Sequence, residues 1–212
     1  MKIVWHGHAC FEILNSISVV TDPHDGKSIG IHPPTASADL VLVSHHHFDH
    51  NKVNTVVEGD YKVVDTPGAF EYRDVKGRGI EAYHDELKGE SRGKNIIFRF
   101  EMDGFVFCHM GDLGHVPSEE ILKEIGEVDF LFIPVGGVYT VDGKKAAKIT
   151  RLISPKVVIP MHFKVGNLSL PISTAEEFLN EMKDWSLFNV GKAIDFERGD
   201  VEEKTIWLFS LG

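Results

Sequence analysis

From position 44 the chain reads Ser44-His45-His46-His47-Phe48-Asp49-His50, which places four imidazoles and a carboxylate within six residues. Neutral imidazole and carboxylate are ligands of borderline hardness, suited first to zinc and also to manganese, iron or nickel. The run follows directly on the apolar segment Leu40 to Val43, read as a strand, so its alternate residues face one way. His45 and His47 can then share one ion, while Asp49 and His50, past the turn, face a second. His46 points the other way and is expected to be structural. An expression tag would be terminal, whereas this run is internal, lies behind a buried strand and is interrupted by an acid. The whole chain holds twelve histidines and two cysteines. Cys10 and Cys108 form no Cys-x-x-Cys pair and are expected to be small buried hydrophobes, so thiolate metal chemistry and a disulfide framework are both set aside.

The elements that must hold these ligands are short. Ile3 to Trp5, Phe11 to Leu14, Ile17 to Thr21 and Leu40 to Val43 read as strands bounded by Gly, Asn, Asp or Pro. Residues 23 to 38, with Pro23, Pro33, Pro34, Gly26, Gly30, His24 and His32, read as a long surface loop expected to border the site. Lys62 to Asp65 and Gly79 to His84 are strand-like, and Asn95 to Glu101 pairs with Phe105 to His109 through Asp103-Gly104, a hairpin signal. Further on, the pattern predicts a helix over Ser118 to Ile125, a buried strand over Asp129 to Pro134, a helix over Gly143 to Ile153 and a strand over Val157 to Pro160. A helix is then predicted from Ser173, with Glu176 completing a capping box, followed by C-terminal strands including Thr205 to Phe209. Two sheets with helices outside them is the simplest packing, in one domain spanning 1 to 212.

Composition narrows the function classes. With 42% apolar and 25% charged residues over 212 positions, the chain can bury a sizeable core. Its formal net charge of -10 speaks against sequence-independent nucleic-acid binding, which needs clustered Lys and Arg. No apolar run approaches the roughly 20 residues that cross a bilayer, and Lys2 to Trp5 opens as a strand instead of a leader. A cytoplasmic location is the default expectation, with no membrane partner and with oligomerisation left open.

The pattern His45-x-His47-x-Asp49-His50 after a strand resembles the signature of the metallo-β-lactamase superfamily. Asp22-Pro23, Gly111-Asp112 and Pro160-Met161-His162, each at a strand end and in the superfamily's order, extend the likeness over residues 1 to 162. The finer pattern adds His6-Gly7-His8, His109-Met110-Gly111-Asp112 and Pro134-Val135-Gly136-Gly137-Val138-Tyr139-Thr140. In this it is similar to a metal-dependent hydrolase branch related to ascorbate-6-phosphate lactonase. The resemblance implies an α+β, four-layer αββα sandwich with two divalent ions between the upper edges of the sheets. By the same resemblance His45, His47 and a third histidine hold one ion, Asp49, His50 and His162 hold the other, and Asp112 bridges them. His84, at a strand end, is preferred as the third histidine; the alternative is His109, three residues before Asp112 on one strand. His109 otherwise becomes a donor to a metal-bound group or a substrate contact, Asp22 orients an imidazole, and His8 contacts substrate or donates a proton. Leu113 stands where the branch carries Thr, which removes a hydroxyl without touching the ligands.

Two such ions, two carboxylates and a bridging hydroxide leave one formal positive charge at the centre. That draws in an anion or a polarised carbonyl, and no Ser or Cys nucleophile is needed. Asp49, His8 and His109 are the side chains expected nearest the chemistry. His6, His115, Tyr139, Thr140 and Lys164 are further candidates to line the pocket, and Gly136-Gly137 reads as a tight turn beside it. The expected activity is hydrolysis of a small, anionic ester, lactone or phosphodiester. A metal-dependent nuclease is the enzymatic alternative, and a metal-binding regulator the non-enzymatic one.

Overall fold

A computed structural model describes residues 1–211. In chain order the elements are β1 (Lys2–Gly7), β2 (Cys10–Leu14), β3 (Ser18–Thr21), β4 (Ala36–Ser37), β5 (Leu40–Leu42), α1 (Val53–Val56), β6 (Val57–Glu58), β7 (Lys62–Val64), β8 (Gly68–Tyr72), β9 (Val75–Tyr83) and β10 (Lys94–Met102). They continue with β11 (Phe105–His109), α2 (Glu119–Ile125), β12 (Phe130–Pro134), α3 (Gly143–Ile153), β13 (Val157–Met161), α4 (Glu176–Glu181), β14 (Ser186–Gly191), β15 (Ala193–Asp195) and β16 (Thr205–Phe209).

One mixed sheet runs in the order β15-β1-β2-β3-β5-β7 and the other β14-β16-β13-β12-β11-β10-β9-β8, with β4 and β6 as a separate pair. The period-2 alternation of a strand explains how the first sheet is covered on both faces. In β3 and β5 the side chains of Val19, Leu40 and Leu42 turn toward the second sheet. Val20 and Val41 turn outward, onto Val53 and Val56 of α1. The inner parallel strands β12 and β13, Phe-Leu-Phe-Ile-Pro and Val-Val-Ile-Pro-Met, are buried at every position, as strands covered on both faces must be. Helices α2 and α3 cover β9 and β12 on the outside, and the result is the four-layer αββα arrangement.

Phe11 of β2 meets Phe132 of β12 with ring centroids 4.7 Å apart. The two sheets thus close on an aromatic centre instead of on loops. Asp103 (φ 52°) and Gly104 (φ 79°) form the two-residue turn between β10 and β11 that their sequence implies. Asp142 caps α3, accepting from the Lys145 amide at 2.8 Å. The capping box expected at Ser173 and Glu176 does not form. The Ser173 amide donates to the Gly136 carbonyl, and the Ser173 carbonyl accepts from Lys164, so α4 starts only at Glu176, with Ala175 as its cap and no side-chain bond. Residues 23–38 form no free lid. Ile29 is buried with Leu168 and Ile172, and the buried His24 donates to the His6 carbonyl while accepting from the Gly26 amide. The loop does border the site, with the His24 ring 6.4 Å from that of His8.

Candidate metal centre

Every expected ligand sits just beyond the carboxyl end of a strand, at one rim of the gap between the sheets. The first sheet supplies His45, His47, Asp49 and His50 after β5. The second supplies His84 after β9, Asp112 after β11 and His162 after β13. Gly111 permits this approach: its φ is 56°, and a Cβ there would lie 2.3 Å from Asn95 Oδ1 and 2.6 Å from Ser44 Cβ. Gly136 lets β12 turn against the His162 carbonyl, since a Cβ would stand 2.2 Å from that oxygen.

The donor atoms gather into two groups around Asp112, with a third, overlapping set of Asp22, His45 and His50 behind them. The ring nitrogens of His45, His47 and His84 form one, and His8, Asp49, His50 and His162 form the other, each group spanning no more than 4.8 Å. Asp112 lies between them. Its Oδ2 is 3.1 Å from His84 Nε2, 3.2 Å from His162 Nε2, 3.3 Å from His50 Nε2 and 3.8 Å from His45 Nε2.

Hydrogen bonds behind the rings aim those nitrogens. Asp22 (φ 38°) accepts from the Ser44 amide and hydroxyl at 2.7 Å each and from His50 Nδ1 at 3.1 Å. The Ser44 hydroxyl, having donated to Asp22, accepts from His45 Nδ1 at 2.9 Å. His84 Nδ1 donates to the Tyr139 carbonyl at 3.1 Å. Each of these rings therefore turns its Nε2 toward Asp112. Asn95 fixes Asp112 in turn, accepting from its amide at 2.9 Å and donating to the Met110 carbonyl at 2.8 Å.

The residues fit a pair of cations. His45 Nε2 and Asp112 Oδ1 are buried with no hydrogen-bond partner among the described residues, a costly arrangement for polar atoms that lack a ligand. Burial pushes the His45 imidazole down to about 3, helped by neighbouring His50. Burial and His162 push His8 to about 3 as well. Both rings are thus neutral donors at ordinary pH. Burial opposes charge on Asp112 and Asp49, yet His162 and His50 hold Asp112 well below the usual carboxylate range, and His8 and His50 hold Asp49 below it. His50 moves the other way: burial lowers it, but Asp112 and Asp22 keep its proton well above the usual range. Positive charge is favoured at this spot, and two carboxylates among imidazoles, once an ion replaces the His50 proton, are the donor chemistry of zinc and its neighbours.

The structure places two of the expected site residues deeper than a substrate contact requires. His109 contacts no substrate space: it is buried, Nε2 donates to the Ala9 carbonyl at 3.0 Å, and Nδ1 accepts from the Gly111 amide at 3.2 Å. Both nitrogens are committed, so His109 braces the Gly111 turn across the two sheets, and His84 takes the place beside His45 and His47. His8 does not face a substrate either. It is fully buried, with Nε2 3.1 Å from both Asp49 Oδ2 and His50 Nε2. Other candidates are occupied too: His115 accepts from the Tyr83 amide, Lys164 donates to the Leu168 and Leu170 carbonyls, and His6 pairs with Glu12. His46 is exposed and meets Asn51.

A cleft of about 400 Å³ opens beside the first group, with His45, His47, Pro67, Arg92, Lys94 and Ile96 in its walls. Asp65 and Glu81 also line it, the latter paired with Lys94 at 2.8 Å, and the Arg92 side of this wall was not read from the sequence. Arg92 lies on a turn that Asp85 organises by accepting four backbone amides, of Leu87, Gly89, Ser91 and Arg92. The guanidinium donates to the Val138 carbonyl at 2.8 Å and stacks 5.0 Å from the Tyr139 ring centre. The Asp85-x-x-x-Gly89 spacing is the only signal that hinted at such a turn. A larger cavity of about 520 Å³, walled by His6, Ile31, His32, Asn167 and Lys192, contains none of the clustered ligands.

This fold and this rim define a protein of the metallo-β-lactamase superfamily, and the β-lactamase superfamily domain model matches residues 2–162. A Thermoplasma acidophilum UPF0173 metal-dependent hydrolase is 30% identical over an alignment that covers 79% of this chain and 85% of that one. A solved structure from Thermotoga maritima, described provisionally as a Zn-dependent hydrolase of the superfamily, is 38% identical, covers 99% of both chains and superposes with a TM-score of 0.80. A metallo-β-lactamase fold protein from Bacillus subtilis, 9% identical with a TM-score of 0.66 over 100% of this chain and 97% of its own, shares the fold alone. The chain belongs to the UPF0173 metal-dependent hydrolase family of that superfamily, and it is a metal-dependent hydrolase.

Proposed function

We propose that this hydrolase cleaves a small anionic ester, lactone or phosphodiester, with two divalent ions held by His45, His47 and His84 on one side and by Asp49, His50 and His162 on the other. Asp112 is shared between them. Zinc is the first candidate, and manganese or nickel suit the same donors. The observation that carries the reading is the cleft in which His45 and His47 share a wall with Arg92 and Lys94. Lys94 is paired with Glu81 at 2.8 Å, so the Arg92 guanidinium is the cation that would meet an anion entering there.

When bound, the ions supply Lewis acidity and a water of lowered pKa. The chain's own residues do the rest. Ser44, Asp22 and the Tyr139 carbonyl orient the imidazoles, and Asn95 holds Asp112. Arg92, braced on Tyr139, orients the substrate's anionic group. The finer likeness to ascorbate-6-phosphate lactonase, carried by His109-Met110-Gly111-Asp112 and the Gly136-Gly137 segment, supports a phosphorylated lactone as one substrate to try. The acidic overall charge of -10 disfavours a polyanion. We place the enzyme in the cytoplasm, acting on a small molecule as one domain, with oligomerisation open.

The test compares kcat/KM for small esters, lactones and bis-aryl phosphates with cleavage of single-stranded RNA and DNA, using His47→Ala and Asp112→Ala to exclude contaminants. Turnover of at least one small anionic substrate, lost in both variants, is expected. Polynucleotide cleavage lost in both, with no small substrate turned over, would replace this reading with a nuclease.

A further inference from the structure

We infer that His8 is itself a metal ligand, giving the buried ion five protein donors: His8, Asp49, His50, His162 and the shared Asp112. The inference rests on the two-ion reading above and adds a residue to it.

Donors that share an ion at about 2.0 to 2.2 Å stand roughly 3 to 3.6 Å apart along the edges of the coordination polyhedron. His8 Nε2 is 3.1 Å from Asp49 Oδ2 and 3.1 Å from His50 Nε2. The neighbouring edges, His50 to Asp112 at 3.3 Å and His162 to Asp112 at 3.2 Å, are of the same size. Because His50 Nδ1 is committed to Asp22, Nε2 is the nitrogen that faces His8, and binding an ion there displaces the proton it would otherwise carry. A cation shared by the two nitrogens gives this spacing, as does a His50 proton donated to His8, and the imidazole count on bound Mn²⁺ separates the two.

His8 also mirrors His162, a ligand by the earlier argument. Both have a left-handed backbone, φ 56° and 52°, which a non-glycine residue adopts at a cost and keeps where the surroundings demand it. Their ring centroids are 4.1 Å apart, and the His162 amide donates to the His8 carbonyl at 3.1 Å. Both leave Nδ1 buried without a partner among the described residues and turn Nε2 into the cluster. The chain thus brings one imidazole from the β1–β2 turn and one from the end of β13 to the same point, tied backbone to backbone.

The two ions then differ. The buried one has five protein donors, a number that suits the higher coordination of manganese, iron or nickel better than tetrahedral zinc. The other has three imidazoles and the shared carboxylate, and His45 and His47 of that set line the cleft. The ion held by that set would be the one that substrate reaches from the cleft.

Metal-free protein is titrated with Mn²⁺ and with Zn²⁺, and the two dissociation constants are read by chelator competition for wild type, His8→Ala, His8→Gln and, as a positive control, His162→Ala. X-ray absorption counts the imidazoles on Mn²⁺, and near-ultraviolet circular dichroism verifies the fold. Expected is loss of affinity for one ion by about 100-fold or more in both His8 variants, beyond what a residue that merely orients a ligand gives, with the other ion unchanged and one imidazole fewer in the absorption spectrum. Wild-type affinity in His8→Ala, or full recovery in His8→Gln, would make His8 a hydrogen-bond donor to Asp49 and overturn the inference. A misfolded His8→Ala leaves the decision to His8→Gln and to the wild-type imidazole count, where fewer than three imidazoles per ion on average contradicts it. Wild type that binds no second ion would instead remove the two-ion reading itself.

Discussion

At the scale of single residues, what separates His84 from His109 is where their nitrogens go, although both lie at strand ends near Asp112. His84 has a free Nε2 beside Asp112, whereas both His109 nitrogens serve the backbone. His84→Ala is expected to lose an ion by elemental analysis while staying folded. His109→Ala should keep its metal content and lose about 2 to 4 kcal/mol of stability in urea, because a buried ring and two hydrogen bonds disappear. A second residue-scale expectation concerns His24, whose buried imidazole is pushed down to about 4 from its ordinary 6.5. Its unfolded form binds a proton below 6.5 and its folded form does not until about 4, so its contribution is complete above 6.5 and is lost as pH falls through that window. Metal-free His24→Gln should therefore show a shallower fall of stability from pH 6.5 to 4 than metal-free wild type, by up to about 1.4 kcal/mol per pH unit. Parallel profiles would rule this out. The His45-to-His50 run could be read directly, because its chemistry is contiguous and follows a strand. The burial of His8 and the commitment of His109 could not, since each depends on a contact with the other sheet.

Among the elements, strand ends do the positioning, and their turns are correspondingly intolerant. Gly136→Ala would set a methyl group 2.2 Å from the His162 carbonyl oxygen. That must displace either β12 or the residue beside His8, at about 1 to 3 kcal/mol. The expected result is a folded protein with lower thermal stability and weaker binding of the buried ion. A wild-type affinity would show that the β12 turn does not set the position of His162. The inner strands were legible because continuous apolar runs such as Phe130 to Pro134 have no other home. Edge strands were not: β8 (Gly-Ala-Phe-Glu-Tyr) and β14 (Ser-Leu-Phe-Asn-Val-Gly) are largely exposed and paired on one side only, so they lack the pattern that burial imposes. Ser173 misled for the opposite reason. Its Ser-x-x-Glu spacing is a sound local signal, overridden when the segment is drawn into backbone bonds with Gly136 and Lys164.

For the whole molecule, the proposed centre is a clasp between two sheets, because five of its ligands, His8 included, come from one and three from the other. Ions that bind only the folded state add to its stability by mass action. Removal by a chelator should lower the melting temperature by at least several degrees, at about 2 to 4 °C per kcal/mol for a chain of this size, with recovery on re-addition of Zn²⁺ or Mn²⁺. No shift would mean that the sheets close without help from the rim. The two-sheet sandwich was readable from the order of the strand-end motifs. Arg92 and the cleft were not, because the turn that presents the guanidinium exists only once Asp85 gathers its four amides. The central claim, a dinuclear metal centre at the rim between the sheets, is tested most directly by anomalous diffraction from crystals of metal-loaded protein at the absorption edge of the bound element. The account predicts two peaks on either side of Asp112, one among His45, His47 and His84 and one among His8, Asp49, His50 and His162. Absence of anomalous density between these side chains, or a single peak with Asp112 unshared, would contradict it.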